Sequence, residues 1–185
     1  MLKARLVACL LALALAATPS LSPRPALAAT AAEINRDATT ALNQLFEKTP
    51  DAKKLAVRAK AILIFPSVYK AGFMFGAQYG EGALRKGNKT VGYYNTVAAS
   101  FGFQLGAQAR SVIIMFMTPE ALAGFRRVEG FKVGVDGSVA IIVVGAGGSI
   151  DTDKVTSPVI GFILDPKGLM YNLTLEGSKI TRISR

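Results

Sequence analysis

Two stretches of this chain alternate residue by residue. From Gly72 to Gly80, Phe73, Phe75, Ala77 and Tyr79 alternate with Gly72, Met74, Gly76, Gln78 and Gly80. From Phe101 to Gln108, Phe101, Phe103, Leu105 and Ala107 alternate with Gly102, Gln104, Gly106 and Gln108. A period of two belongs to strands with one covered face and is incompatible with a helix. Ile62 to Phe65, Val112 to Met117, Val139 to Val144 and Val159 to Leu164 are apolar throughout, as strands covered on both faces are. Turn chemistry separates these runs at Lys86-Gly87-Asn88-Lys89, Asp136-Gly137 and Asp165-Pro166-Lys167-Gly168, and Ser67-Val68-Tyr69-Lys70 reads as a polar turn leaving a strand.

Helical signals lie mostly before the strands. Thr30-Ala31-Ala32-Glu33 reads as a capping box, and Ile34, Ala38, Ala41, Leu42, Leu45 and Phe46 follow on one helical face. Thr49-Pro50-Asp51 closes that helix and opens another, with proline at the first helical position. Ala52, Leu55, Ala56 and Ala59 form its apolar side. Lys53, Lys54, Arg58 and Lys60 form the other, with Val57 among them. Thr118-Pro119-Glu120 opens a short helix through Phe125. The expectation is an α+β fold, a mainly antiparallel β-sheet or small β-barrel with N-terminal helices packed on it. Phe73-Met74-Phe75-Gly76-Ala77-Gln78 and Phe103-Gln104-Leu105-Gly106-Ala107-Gln108 share Phe, Gly, Ala and Gln at the same places, and their glycines suit sharp coiling or close backbone approach.

The first 28 residues read as a secretory signal rather than structure. Lys3 and Arg5 precede an apolar run from Leu6 to Ala17, shorter than the roughly 20 residues a spanning helix needs. Ala26-Leu27-Ala28 then supplies an A-x-A cleavage pattern. Cys9 lies at the start of the apolar run, the wrong place for a lipidated cysteine. The expected location is the periplasm or cell envelope. Removal of the segment takes with it Lys3, Arg5, Arg24 and the chain's single Cys, leaving a cysteine-free product suited to an oxidising compartment.

Most chemistry is excluded by residue supply. The chain has no His, so a Ser-His-Asp triad, a Cys-His dyad and a histidine zinc site are all out of reach. Ser67-Val68-Tyr69-Lys70 spells S-x-x-K without a helix start or its S-D-N and K-T-G partners. Gly145-Ala146-Gly147-Gly148 lacks the last glycine and the helix of a dinucleotide loop, and Gly82 to Lys89 has Asn88 where a P-loop needs lysine. Asp151 and Asp153 are too few for a calcium loop. No enzyme activity, cofactor or metal is expected.

The formal charge of +10 gives the stronger lead. Its main cluster is Lys53, Lys54, Arg58 and Lys60, with Val57 placed to enter an interfacial layer. Secondary basic patches are Arg85, Lys86 and Lys89 around one turn, and Arg126 and Arg127 after the short helix. No nucleic-acid reading motif accompanies these charges.

Ala59-Lys60-Ala61-Ile62-Leu63-Ile64-Phe65-Pro66-Ser67-Val68-Tyr69-Lys70-Ala71-Gly72-Phe73 resembles the opening of the SYLF domain. Gly76 to Gly82, Gly106-Ala107-Gln108, Thr118 to Leu122, Val133 to Ala140 and Gly161 through Ile180 follow in order, the ending resembling the exported bacterial branch. The family's frequent Trp-Ser-x-Pro segment is Tyr94-Asn95-Thr96-Val97 here. The resemblance implies a lipid-binding module: eukaryotic relatives bind phosphoinositide membranes through a basic amphipathic helix, to which Asp51 to Lys60 corresponds, and some bind actin. An exported bacterial member meets no actin. The domain organisation expected is a signal over 1–28, an N-terminal helix over 29–49, and a SYLF-like domain over 50–185 forming one globular unit with that helix. The functional expectation is noncatalytic binding of anionic phospholipid or an envelope membrane surface through Lys53, Lys54, Val57, Arg58 and Lys60. Rivals are an integral eight-stranded outer-membrane barrel, an envelope structural protein without a lipid ligand, and a hydrolase using Ser67 or the Asp151/Asp153 pair. The apolar runs lack the alternation a polar lumen imposes, and Ile183-Ser184-Arg185 carries no aromatic, which counts against the barrel.

Overall fold

A computed structural model describes residues 28–73, 75–101, 106–144, 156–167, 175 and 177–185. The expected signal segment up to residue 27, Gly145 to Gly148, and Asp151 and Asp153 lie outside the described residues. Helix α1 spans Ala31–Lys48 and α2 Pro50–Arg58. Strands β1 (Ala61–Phe73), β2 (Phe75–Lys86), β3 (Lys89–Phe101) and β4 (Gly106–Phe116) follow. Then come α3 (Pro119–Arg127), β5 (Phe131–Lys132), β6 (Ala140–Val143), β7 (Val159–Lys167) and β8 (Lys179–Ile183). The eight described strands form one curled sheet in the order β5-β8-β3-β2-β1-β4-β7-β6, antiparallel throughout except for β6 against β7. This is the expected α+β architecture, with α1 and α2 packed on the sheet.

The helix starts are built as their sequences require. Thr30 accepts from the Glu33 amide while Glu33 Oε2 accepts from the Thr30 amide at 2.8 Å, satisfying amides that the helix leaves open. Pro50 opens α2 and Thr118 caps α3. Ile34, Ala38, Ala41 and Leu45 of α1, with Ala52 and Leu55 of α2, bury against Ile64, Ala83, Ile113, Met115, Ile160, Phe162 and Leu164. The opposite face of the sheet holds a second core, in which Leu63, Phe65, Leu84, Val112, Ile114, Phe116 and Ile163 meet Leu122 and Phe125 of α3, Phe131, Leu175 and Ile180. Burial on both faces is why the central strands read as continuous apolar runs.

Four expected boundaries are corrected. Pro66-Ser67 does not end a strand: β1 continues to Phe73, and its pairings to both neighbours shift register there, so the segment is a β-bulge. The alternating run Gly72 to Gly80 is two strands, because Phe73 pairs with Phe75 and Gly72 with Gly76. Phe101 likewise ends β3 while Gly106 begins β4. Alternation survives the tight reversal between Phe73 and Phe75, since paired residues share a face, so the pattern hid that strand end. β3 and β4 are not neighbours, and Phe101 and Gly106 pair instead with β2 and β1. Asp165-Pro166-Lys167, expected as a turn, lies within β7.

The repeated hexapeptide now has a physical reading. Gly76 and Gly106 both pair with Gly72, Ala77 and Ala107 with Ala71, and Gln78 and Gln108 with Lys70. The Gly-Ala-Gln ends of the two copies flank β1 at one register, one on each side. The bulge also explains two glycines: a β-carbon on Gly80 would stand 2.8 Å from the Ser67 carbonyl oxygen, and one on Gly82 2.3 Å from that of Ile64.

Candidate lipid-facing site

Helix α2 presents the residues expected of a lipid contact. Its amphipathic spacing buries Ala52 and Leu55, so Lys53, Lys54, Val57 and Arg58 emerge on the other side and Lys60 follows just beyond the helix, all exposed. Val57 is 83% exposed amid these cations, an apolar side chain that the fold itself leaves uncovered. Lys54 Nζ pairs with Asp51 Oδ1 at 2.9 Å, a surface pair that costs the patch little of its positive field. The helix is held in place at its end by the Lys60 amide, which donates to the Phe116 carbonyl at 2.7 Å.

The secondary patches divide. Lys86 and Lys89 are exposed and pair across the β2–β3 turn, whose Gly87 takes a positive φ of 57°. That turn lies at the same end of the sheet as the start of β1, and so beside the end of α2. Arg85 is instead drawn under α1, where its NH2 donates to the Asn35 carbonyl at 2.6 Å and to Thr39 Oγ1 at 2.8 Å. Burial pushes its guanidinium pKa down. Arg126 and Arg127 occupy the last turn of α3, where they face the negative end of the helix dipole. They line a groove of about 230 Å³ with Tyr94, Glu129 and Arg182. Arg182 pairs directly with Tyr94 and was not among the expected cations, since nothing in its local sequence places it beside α3.

Two further cations, not expected as site residues, are buried. Lys70 and Arg110 lie on the face of the sheet away from α1 and α2. Arg110 NH2 donates to Gln78 Oε1 at 2.8 Å, and Gln78 Nε2 reaches Ser178 Oγ at 3.5 Å. Burial, and then the positive field of Arg110, hold the Lys70 ammonium below the usual lysine pKa. Desolvation lowers that of Arg110 too. The signal was in the register: Lys70 sits between Gln78 and Gln108, which the repeated hexapeptide supplies. Ser67 lines an outer cleft with Tyr69 and Tyr79, whereas Lys70 is buried behind it, so the two ends of the S-x-x-K match stand on opposite faces of β1.

Among the described residues no helix is long and apolar enough to cross a membrane. Residues 97–184 match a family model, Ysc84, described as Las17-binding protein actin regulator. No curated protein matches the chain.

Proposed function

We propose, from the premise that residues 97–184 carry the Ysc84 (SYLF) domain of a lipid- or actin-binding family, that this protein is a noncatalytic binder of anionic membrane surfaces. The observation that carries the reading is α2, with Lys53, Lys54, Arg58 and Lys60 exposed around a Val57 that is 83% exposed. Each cation held near an anionic bilayer is worth about 1 kcal/mol, and the valine adds a short-range apolar contact that salt does not screen. Lys86 and Lys89 extend the positive field at the same end of the sheet.

Lipid is favoured over actin because the N-terminal sequence reads as an export signal, and a protein delivered to the periplasm or envelope meets membrane rather than actin. Phosphoinositide specificity is not part of the proposal, since the recognition rests on charge and one valine, which any anionic lipid satisfies. The integral-barrel alternative fits poorly with α1 and α2 covering the outer faces of β1, β4 and β7. Co-sedimentation with vesicles of phosphatidylcholine alone, against vesicles that also contain phosphatidylglycerol, tests the proposal: binding is expected to need the anionic lipid, and equal binding to both would refute it.

A further inference from the structure

Beyond α1 the outer face of the sheet changes character in rows. Ser67, Glu81, Asn95 and Thr181 are backbone partners in one row, and Glu81 is paired with Arg185. The next row is Tyr69, Tyr79 and Val97, which pair directly with one another and end on Lys179. These three are 61%, 47% and 38% exposed. One further register step out, Ala71, Ala77 and Ala99 pair in a row and are all exposed. The following register positions belong to Phe73, Phe75 and Phe101. The strand segments 71–73, 75–80, 97–101 and 106–109 contain no charged residue at all.

We propose that this uncharged end of the β1–β4 sheet is a second lipid contact, one that enters the interfacial layer of a bilayer. The sequence of rows identifies the partner. Paired charges give way to tyrosine hydroxyls and then to bare alanine, and a bilayer presents the complementary series of headgroup and interface. Lys179 at the edge of the tyrosine row matches an anionic headgroup layer. Contiguous exposure of aromatic and apolar side chains on a strand face is also unusual without a partner.

This contact is separate from α2. The thirteen residues of β1, at about 3.3 Å each, put roughly 40 Å between the start of β1 beside α2 and the phenylalanine end. The inference therefore stands or falls independently of the proposed role of α2.

The absence of tryptophan from the chain makes the test direct. Single Tyr79→Trp and Val57→Trp variants, purified in whichever N-terminal form the cell produces, each carry one fluorescent reporter. They are titrated with phosphatidylglycerol–phosphatidylcholine vesicles, with and without acyl-chain bromination. The expected result is a blue shift and bromine quenching of the Tyr79→Trp emission. The Val57→Trp variant reports on α2 alone, so a response from Tyr79→Trp without one from Val57→Trp would support this inference and refute the role of α2. A response from Val57→Trp while the reporter at position 79 stays water-exposed, or no response from either, would overturn the inference. A blue shift of the Tyr79→Trp variant that grows with protein concentration in vesicle-free buffer would assign the face to a second copy and also overturn it. Ala77→Glu, at an exposed position, is expected to keep the folded circular dichroism and to abolish the quenching when combined with Tyr79→Trp, and quenching that persists in the folded variant would contradict the proposal.

Discussion

Gly82 approaches Ile64 so closely that a β-carbon on it would stand 2.3 Å from the Ile64 carbonyl oxygen. The neighbour is main chain on the paired strand, immediately before the β1 bulge, so no rotamer change relieves the contact. Gly82→Ala is expected to destabilise the protein at the upper end of the roughly 1–3 kcal/mol typical of overpacking, read as a drop in denaturation midpoint. Gly124, within α3, has open space where its β-carbon would be. Gly124→Ala is expected to stabilise by about 0.5–1 kcal/mol. Equal effects of the two substitutions would contradict the bulge geometry.

Asn35 fastens α1 to the sheet. Its Nδ2 donates to Tyr93 Oη at 2.8 Å and its Oδ1 accepts from Thr90 Oγ1 at 2.7 Å. Each bond is worth about 1 kcal/mol net, so Asn35→Ala is expected to cost about 2 kcal/mol. Hydrogen exchange should show faster opening in α1 than in β1 and β4. A uniform change across the protein would show that α1 has no separate opening.

Lys70 sets a pH dependence whose sign is fixed by its burial. Its folded pKa lies below its ordinary value near 10.5, because burial and Arg110 both disfavour the ammonium. Below the lowered pKa the ammonium is retained in both states and the folded protein bears the whole cost. As pH climbs through that pKa toward the unfolded value, the unfolded chain binds more protons and the contribution of Lys70 to stability rises. Lys70→Met is expected to raise the denaturation midpoint near neutral pH, with the gain shrinking as pH approaches about 10. A variant less stable than the parent at neutral pH would contradict this.

Local chemistry made the helices readable from sequence. Thr30 and Glu33 form the capping box they spell, Pro50 opens α2, and the two faces of α2 separate where 100° spacing puts them. The strand content was equally legible, but its division was not. Alternation through Phe73 and Phe75 continues across the reversal, and Pro66-Ser67 carries turn chemistry while serving as a bulge. β3 and β8 passed unnoticed because Thr90 to Ser100 and Lys179 to Ile183 mix apolar, small and polar or charged residues and take their order from neighbours. The basic arc of α2 was visible because a helix periodicity defines its exposed side. Arg182 beside Tyr94, the buried Lys70–Gln78–Arg110 group and the tyrosine–alanine rows depend on strand register, which residue spacing along one strand does not reveal.

Binding to anionic vesicles by a variant with Lys53, Lys54, Arg58 and Lys60 all replaced by Gln tests the central claim most directly. These side chains are exposed and none is needed for the core, so the variant is expected to keep its folded circular dichroism and denaturation midpoint. At about 1 kcal/mol for each cation, its affinity for phosphatidylglycerol-containing vesicles at low salt is expected to fall by roughly a thousandfold. A folded variant that binds those vesicles as tightly as the parent would contradict the assignment of α2 as the anionic-membrane surface.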